Sequence, residues 1–328
     1  MKKVLIAGGA GYIGSHMVKW LSQRGLQTVT VDNLSSGHRD AVQFGEFIQL
    51  DLADRDALRA LFASHHFDAV MHFASSIQVG ESVQKPSLYY ANNVVNTLIL
   101  LDEMRAAGVN RFIFSSTAAT FGEPKYTPID EKHPQQPLSP YGRSKLMVEQ
   151  ILEDYERAYG LRSVCLRYFN AAGADPAAEL GERHDPETHL IPIALEVAGD
   201  LRPQLSVFGT DYDTPDGTCI RDYVHIVDLC QAHGLALDRL LDGKGSGRYN
   251  LGNGQGFSVR QVIGCVEQVC GRKLKVAYGD RRAGDPAVLV ADATLARQGL
   301  GWVPEYADLG QIVSHAWAFM KRHRNLAA

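Results

Sequence analysis

Tyr141-Gly142-Arg143-Ser144-Lys145 sets a phenol and an ammonium four residues apart, one helical turn and hence one face. Such a pair can move a proton. A phenol with its ordinary pKa of about 10 is a poor base near neutrality, but a nearby cation can lower it by roughly 1–3 units. Among 13 tyrosines this spacing is expected to occur about once by chance, so position must supply the weight. Upstream, Ser115-Ser116-Thr117 ends the apolar run that begins at Arg111, which sets hydroxyls at the carboxyl edge of a strand. Open α/β sheets bind ligands at that edge. Thr117, Tyr141 and Lys145 are expected to converge there; without the Tyr-Lys pair, Thr117 would be read as a turn residue.

A second cluster binds rather than reacts. Gly8-Gly9-Ala10-Gly11-Tyr12-Ile13-Gly14 follows an apolar run and precedes a helical stretch. Glycines in that place let backbone approach a pyrophosphate, whose charge meets the positive end of the helix. The next strand ends in Asp32, at the offset where a carboxylate accepts bonds from an adenosine ribose and repels a 2′-phosphate. NAD is therefore expected over NADP. Asp51, closing the third strand, could meet the adenine amino group or cap the helix near Asp54, and the sequence leaves both open.

The elements that must position these groups read as a doubly wound α/β fold. Strand candidates are Val4 to Ala7, Thr28 to Val31, Phe47 to Leu50, Ala69 to Phe73, Arg111 to Ser115 and Ser163 to Arg167, apolar enough to be covered on both faces of a parallel sheet. Helical periodicity is clearest in Leu88 to Ala107 and Leu146 to Tyr159. Residues 1–173 are read as a dinucleotide-binding Rossmann domain, and 174–328, richer in Pro and Gly, as a smaller substrate domain from which 248–251 could return to the sheet.

Composition excludes several classes. A net charge of -4 gives no basic footprint for nucleic acid, and the apolar run before Gly8 is too short for a signal or a membrane span. Five cysteines without a C-x-x-C pair indicate neither a disulfide framework nor a zinc site, so no metal is expected and a reducing, cytoplasmic compartment is.

Longer strings carry a resemblance. They include Gly80-Glu81-Ser82-Val83, Tyr89-Tyr90-Ala91-Asn92-Asn93-Val94 and Arg167-Tyr168-Phe169-Asn170. Phe208-Gly209-Thr210-Asp211-Tyr212, Asp216-Gly217-Thr218, Arg221-Asp222-Tyr223-Val224-His225 and Arg281-Arg282-Ala283-Gly284-Asp285 follow. With the glycine turn and Tyr141/Lys145 they resemble, over nearly the whole chain, the extended short-chain dehydrogenase/reductase superfamily and its UDP-sugar 4-epimerases.

The resemblance implies interconversion of UDP-galactose and UDP-glucose through a transient 4-keto sugar on tightly bound NAD, with Tyr141 as proton acceptor. Lys145 would hold the nicotinamide ribose and tune Tyr141, and Thr117 would bind the reacting oxygen. It places Gly8, Gly11, Tyr12, Ile13, Gly14, Asp32, Asn33, Asp51, Leu52, Phe73, Ala74, Asn92 and Phe169 around the cofactor. Asn170, His189, Leu190, Phe208, Arg221, Arg282 and Asp285 fall around the UDP, and Leu289 at a position that gates substituents on sugar C2. Taken singly, Arg221 beside Asp222 would read as an ion pair. A homodimer built on the helices 88–107 and 146–159 is implied as well.

Three positions depart from the family pattern: Ala7 for Thr, Thr117 for Ser, and Ile77 where some members have Lys. A UDP-uronate or UDP-pentose epimerase differs only around sugar C5. A 4,6-dehydratase would need Asp-Glu after Thr117, where this chain has Ala118-Ala119.

Overall fold

In the computed structural model, which describes residues 1–282 and 285–326, thirteen strands and eleven α-helices follow one another along the described chain. The strands are β1 Lys3–Ala7, β2 Gln27–Asp32, β3 Glu46–Gln49, β4 Ala69–His72, β5 Arg111–Thr117, β6 Arg162–Tyr168, β7 Asn170–Ala172, β8 Leu205–Phe208, β9 Ile220–His225, β10 Gly247–Leu251, β11 Gly256–Ser258, β12 Val276–Gly279 and β13 Val288–Leu289. The helices are α1 Tyr12–Gln23, α2 Arg55–Ser64, α3 Val79–Gln84, α4 Pro86–Tyr90, α5 Asn96–Ala106, α6 Pro140–Tyr159, α7 Leu190–Ala198, α8 Ile226–Leu241, α9 Val259–Cys270, α10 Thr294–Leu300 and α11 Leu309–Arg324.

Seven strands form one parallel sheet in the order β10-β6-β5-β4-β1-β2-β3. Its central strands are apolar on both faces because both faces are covered. Met17, Val18 and Leu21 of α1 pack with Leu229, Leu237 and Leu240 of α8 on one side. Leu58 of α2, Leu100 and Met104 of α5, and Val148 and Leu152 of α6 close the other. The strand order reverses at β1 and β4, so their carboxyl ends open a crevice where a ligand can enter.

The sheet also takes in a late segment: Gly247–Leu251 pairs in parallel with β6, Leu251 opposite Tyr168. The rest of the later chain builds a smaller assembly, with β9 flanked by β7, β11 and β13, β8 paired with β12, and α7, α9 and α11 sharing an apolar core.

Two helices differ from the periodicity reading. Leu88 to Ala107 is interrupted by a π-helical stretch, Ala91–Val95, between α4 and α5. The other runs from Pro140, taking in the Tyr141–Lys145 turn already read as helical as well as the clearer periodicity from Leu146, because Ser139 accepts a bond from the Gly142 N–H (3.1 Å) and proline suits the first turn. Tyr141 and Lys145 thus stand in that helix's first two turns.

Candidate active site

The glycine turn is shaped by close approach. Gly8 has φ +81°, and a Cβ there would lie 2.4 Å from the Ala74 amide nitrogen; one on Gly14 would lie 2.2 Å from the Gly8 carbonyl oxygen. Any side chain at either position would push α1 and β4 off the end of β1. Gly11 caps α1 without a side-chain bond, and no acid lies in the first turn, so the helix presents open N–H groups and its positive end. This suits a pyrophosphate. The Tyr12 phenol is spent elsewhere, donating to the Gly173 carbonyl (2.7 Å), while Ile13 packs on the sheet core.

Asp32 closes this turn as well as facing it. Its carboxylate accepts from Ala10 N–H (3.0 Å) and Leu34 N–H (2.8 Å), one bond per oxygen, which leaves lone pairs for ribose hydroxyls. Burial lifts its pKa above the usual carboxylate range, against the pull of those two donors. Asp51 accepts from Ala53 N–H (2.8 Å) and from the Asn33 amide (2.9 Å). Asp54, not Asp51, caps α2, through Ala57 N–H. Asp51 therefore stays exposed at the sheet edge, and Leu52 beside it is buried.

Thr117 ends β5 and opens a 3-10 turn, Ala118–Thr120, by accepting the Ala119 N–H (3.1 Å). The first turn of α6 is pressed onto that turn: a Cβ on Gly142 would lie 2.4 Å from the Ala119 carbonyl oxygen. This contact carries Tyr141 to the carboxyl edge beside Thr117. Lys145 donates to the Ser115 carbonyl (2.8 Å) and the Ser75 hydroxyl (2.8 Å). Burial lowers its pKa to about 7, against the attraction of Glu149.

Burial also raises Tyr141 above its ordinary value, and the neighbouring Thr117 hydroxyl only partly offsets this. Among the protein's own groups the lowering expected of a nearby cation is not supplied, since only the Thr117 hydroxyl opposes burial. With protein groups alone desolvation wins, because the ammonium is committed to Ser115 and Ser75.

The π-helical stretch shapes the third wall. Asn93, fully buried, accepts from Ser76 N–H (2.9 Å) and donates to the Ser76 carbonyl (3.0 Å) and the Ser144 hydroxyl (3.0 Å). It ties the segment following Ala74 to α6. Asn92 is half-buried and donates to the Ser76 hydroxyl (3.2 Å). Phe73 and Ala74 pack against opposite apolar layers of the sheet.

On the other side of the crevice, Arg221 pairs with Asp285, not with Asp222. Asp222 is fully buried and accepts from Asn253 (2.8 Å), Gly254 (3.1 Å) and Ala291 (3.1 Å) N–H groups; burial lifts it to about 6 in spite of them. Arg282 lies 4.1 Å over the ring of Phe208, both exposed. Asn170 is committed to the Asp222 carbonyl (2.8 Å). Leu289 sits opposite Arg221 in register and, half-buried with Phe169, packs on Ala118 and Phe121, which links this side to the turn after Thr117. Leu190 begins α7, which His189 precedes. Ala283 and Gly284 lie outside the described residues.

Several groups escaped the sequence reading: Ser75, Ser76, Asn93, Ser144 and above all Glu149. Glu149 stands one turn beyond Lys145 and two beyond Tyr141, a spacing that could have drawn notice. Buried with Arg167, it accepts from the Ser116 hydroxyl (2.5 Å) and takes the Arg167 guanidinium on both oxygens. Removing one partner of such a pair costs about 3–5 kcal/mol, so this ion pair fastens α6 to β5 and β6.

Three kinds of likeness accompany this geometry. Residues 4–252 match the model of the NAD dependent epimerase/dehydratase family. A UDP-glucose 4-epimerase of Rhizobium meliloti (strain 1021) is 50% identical over 319 residues, 97% of each chain. The crystal structure of UDP-glucose 4-epimerase from Brucella ovis in complex with NAD superposes with a TM-score of 0.96 at 48% identity, over 100% of this chain and 99% of that one. The Bifidobacterium longum UDP-glucose 4-epimerase in complex with NAD+ and UDP gives 0.94 at 38% identity, over 99% of each.

Proposed function

The chain belongs to the NAD dependent epimerase/dehydratase family, and we propose that within it the protein interconverts UDP-galactose and UDP-glucose at carbon 4 of the sugar. The observation that carries this reading is the meeting of Thr117, Tyr141 and Lys145 at one strand end, facing the crevice beside the glycine turn. The cradle around Gly8 and Gly14, the open end of α1 and the remaining lone pairs of Asp32 fit NAD. NAD, when bound, supplies the hydride acceptor and donor.

The residues then divide the work. Tyr141 takes the proton from the sugar 4-hydroxyl and returns it, while Thr117 holds the same oxygen in line. A positive charge brought against Tyr141 lowers its pKa, opposing the burial that raises it. Lys145, fixed by Ser115 and Ser75, reaches the cofactor's ribose and keeps the phenol oriented. Arg221 and Arg282 meet the diphosphate, a task for planar permanent cations, and Asp285 must release Arg221 for it. Between the two half-reactions the sugar must turn over, so that hydride returns to its opposite face. Phe208, Asn170, His189 and Leu190 border the UDP.

In this reading 1–173 form mainly the NAD side and 174–328 mainly the UDP-sugar side. Ala118 and Ala119 place methyl groups where dehydration would need acids, which favours epimerisation.

Partner and compartment follow from surfaces. Leu88, Val95, Met147 and Tyr159 are exposed apolar side chains on the bundle formed by α3, α4, the π-helical stretch and α6, which supports a homodimer. None of the described helices is long and apolar enough to cross a membrane, and all five cysteines are free thiols, in keeping with the cytoplasm. The test is incubation with UDP-galactose and no added reductant, followed by product identification and release of bound cofactor by denaturation. UDP-glucose and about one NAD per chain are expected. Absence of both, or a requirement for stoichiometric NADH, overturns the reading.

A further inference from the structure

Glu182, His184, Glu187 and His189 fall within eight residues of sequence, and one ligand atom from each lies within 4.8 Å of all the others. The two imidazole Nδ1 atoms face the same carboxylates: His184 and His189 stand 3.0 and 2.6 Å from Glu182 Oε1, and 3.9 and 3.2 Å from Glu187 Oε1. A tetrahedral ion with bonds of about 2.0–2.2 Å has ligand atoms about 3.3 Å apart, so these edges bracket the required value. From this geometry we propose that the loop before α7 is a binding site for a divalent transition metal of the zinc class, held by Glu182, His184, Glu187 and His189.

Charge supports the choice. Both carboxylates are buried, at 6% and 5% exposure. The two carboxylates together carry two negative charges, which a divalent ion held with neutral imidazoles brings to zero. Arg183, the adjoining cation, is engaged by both oxygens of Asp40. Two imidazoles and two carboxylates suit zinc better than calcium or magnesium, which prefer all-oxygen sets.

Support and access are present too. Glu187 Oε1 also accepts the Thr188 N–H (2.7 Å) and the His189 N–H (2.9 Å), which orients the carboxylate. Glu182, His184 and Glu187 border a partly open hollow that continues to Met320 and His323, an entry path. The His184 ring also stands edge-on to Tyr12, 6.4 Å between centroids, so an ion here would brace α1 against α7 from behind the glycine turn. The cysteine count is silent on such a site because no thiolate takes part.

The test uses untagged full-length protein after chelator treatment, without any sugar nucleotide, so it stands or falls apart from the proposed activity. Zn²⁺ is titrated by calorimetry, and Co²⁺ by its visible tetrahedral absorption. One equivalent per chain is expected, with affinity falling as pH drops and a rise in the unfolding midpoint with Zn²⁺ but not with Mg²⁺. Glu182→Gln and His184→Asn should each weaken binding about tenfold or more, while Glu179→Gln, on the neighbouring ion pair with Lys19, leaves it unchanged. No saturable binding, equal affinity in the ligand variants, or an equal response to Mg²⁺ overturns the site.

Discussion

Around Thr117, Tyr141 and Lys145 the polar groups are held mostly by backbone: Ala119 N–H, the Ser115 carbonyl and the packed first turn of α6. Around Arg221 and Arg282 side chains do more of the holding: Asp285 takes Arg221, which also donates to the Ile220 carbonyl (2.8 Å), and Arg282 lies over the face of Phe208, in half-buried or exposed positions. The first arrangement is fixed before any ligand arrives, and burial tunes its pKa values. The second is provisional under the proposed function, in which an entering diphosphate would displace the Asp285 carboxylate from Arg221. Reactive groups need fixed distances, because a small misplacement is costly in rate. Recognition groups can instead exchange one partner for another.

The contrast is broken most decisively at Tyr141. Tyr141→Phe removes the proposed proton acceptor and little volume, so turnover should fall by about 10²–10⁴-fold or more while the fold and NAD content stay. Near-normal turnover in a folded variant would remove Tyr141 from its role.

On the provisional side, Arg221→Lys keeps the charge but loses the planar fork, an exchange worth about 1.5–3 kcal/mol for a charge-assisted bond. A fall in kcat/KM of roughly 10–100-fold, carried by KM, is expected. A fall in kcat alone would place Arg221 among the fixed groups.

Asp32 belongs to both kinds, since it closes a turn and, in the proposed function, meets the ribose. Asp32→Ser should narrow the preference for NAD over NADP about tenfold and cost roughly 1–2 kcal/mol, because the Ala10 and Leu34 N–H groups lose their charged acceptor. Cofactor titrations and urea unfolding separate the two effects; an unaltered preference would leave Asp32 a turn residue only.

Leu289 joins the two regions. Leu289→Ala should raise relative activity on UDP-N-acetylglucosamine a few-fold against UDP-galactose. Unchanged ratios with a stability loss of about 2–5 kcal/mol would instead mark it as plain core.

The smallest effect is in pH. In chelator-treated protein, burial disfavours a charged His189, but Glu182 and Glu187 override this and raise it from 6.5 to about 10. That contribution is complete below pH 6.5 and lost as pH rises through 10. Lys145 runs oppositely: lowered from 10.5 to about 7, its charge burdens the fold less as pH rises between those values. Against wild type, Glu182→Gln should therefore improve from pH 7 to 10 while Lys145→Met worsens. The first shift should be about 1 kcal/mol or less, since the His189 side chain is 43% exposed. Urea midpoints at several pH values check the signs, and equal slopes would erase the distinction.

Much of this was legible beforehand, for physical reasons. Each central strand lies within two residues of its apolar run because burial on both faces leaves a continuous hydrophobic signal. The start of α6 was less visible to periodicity, since Tyr141 and Lys145 face the site, Gly142 packs on the Ala119 carbonyl and Arg143 is exposed. The π-helical stretch was invisible, as its wider turn serves Asn93, whose partners Ser76 and Ser144 are distant in sequence. Glu182 and Glu187 carried no role in the sequence reading, and it is the fold of their loop that brings the two histidines onto them.

The return of Gly247–Leu251 to the edge of the sheet has a consequence for how the chain can be divided. A fragment ending at residue 173 would leave β6 as an unpaired, apolar edge and uncover the sheet face that α8 protects, two invitations to aggregate. Completing the sheet must wait for residues made nearly eighty positions after β6, a long-range closure that slows folding. The seven-stranded sheet and the smaller assembly built by the later chain should therefore melt in one transition, and a nick in the 243–246 turn before β10 should loosen both at once.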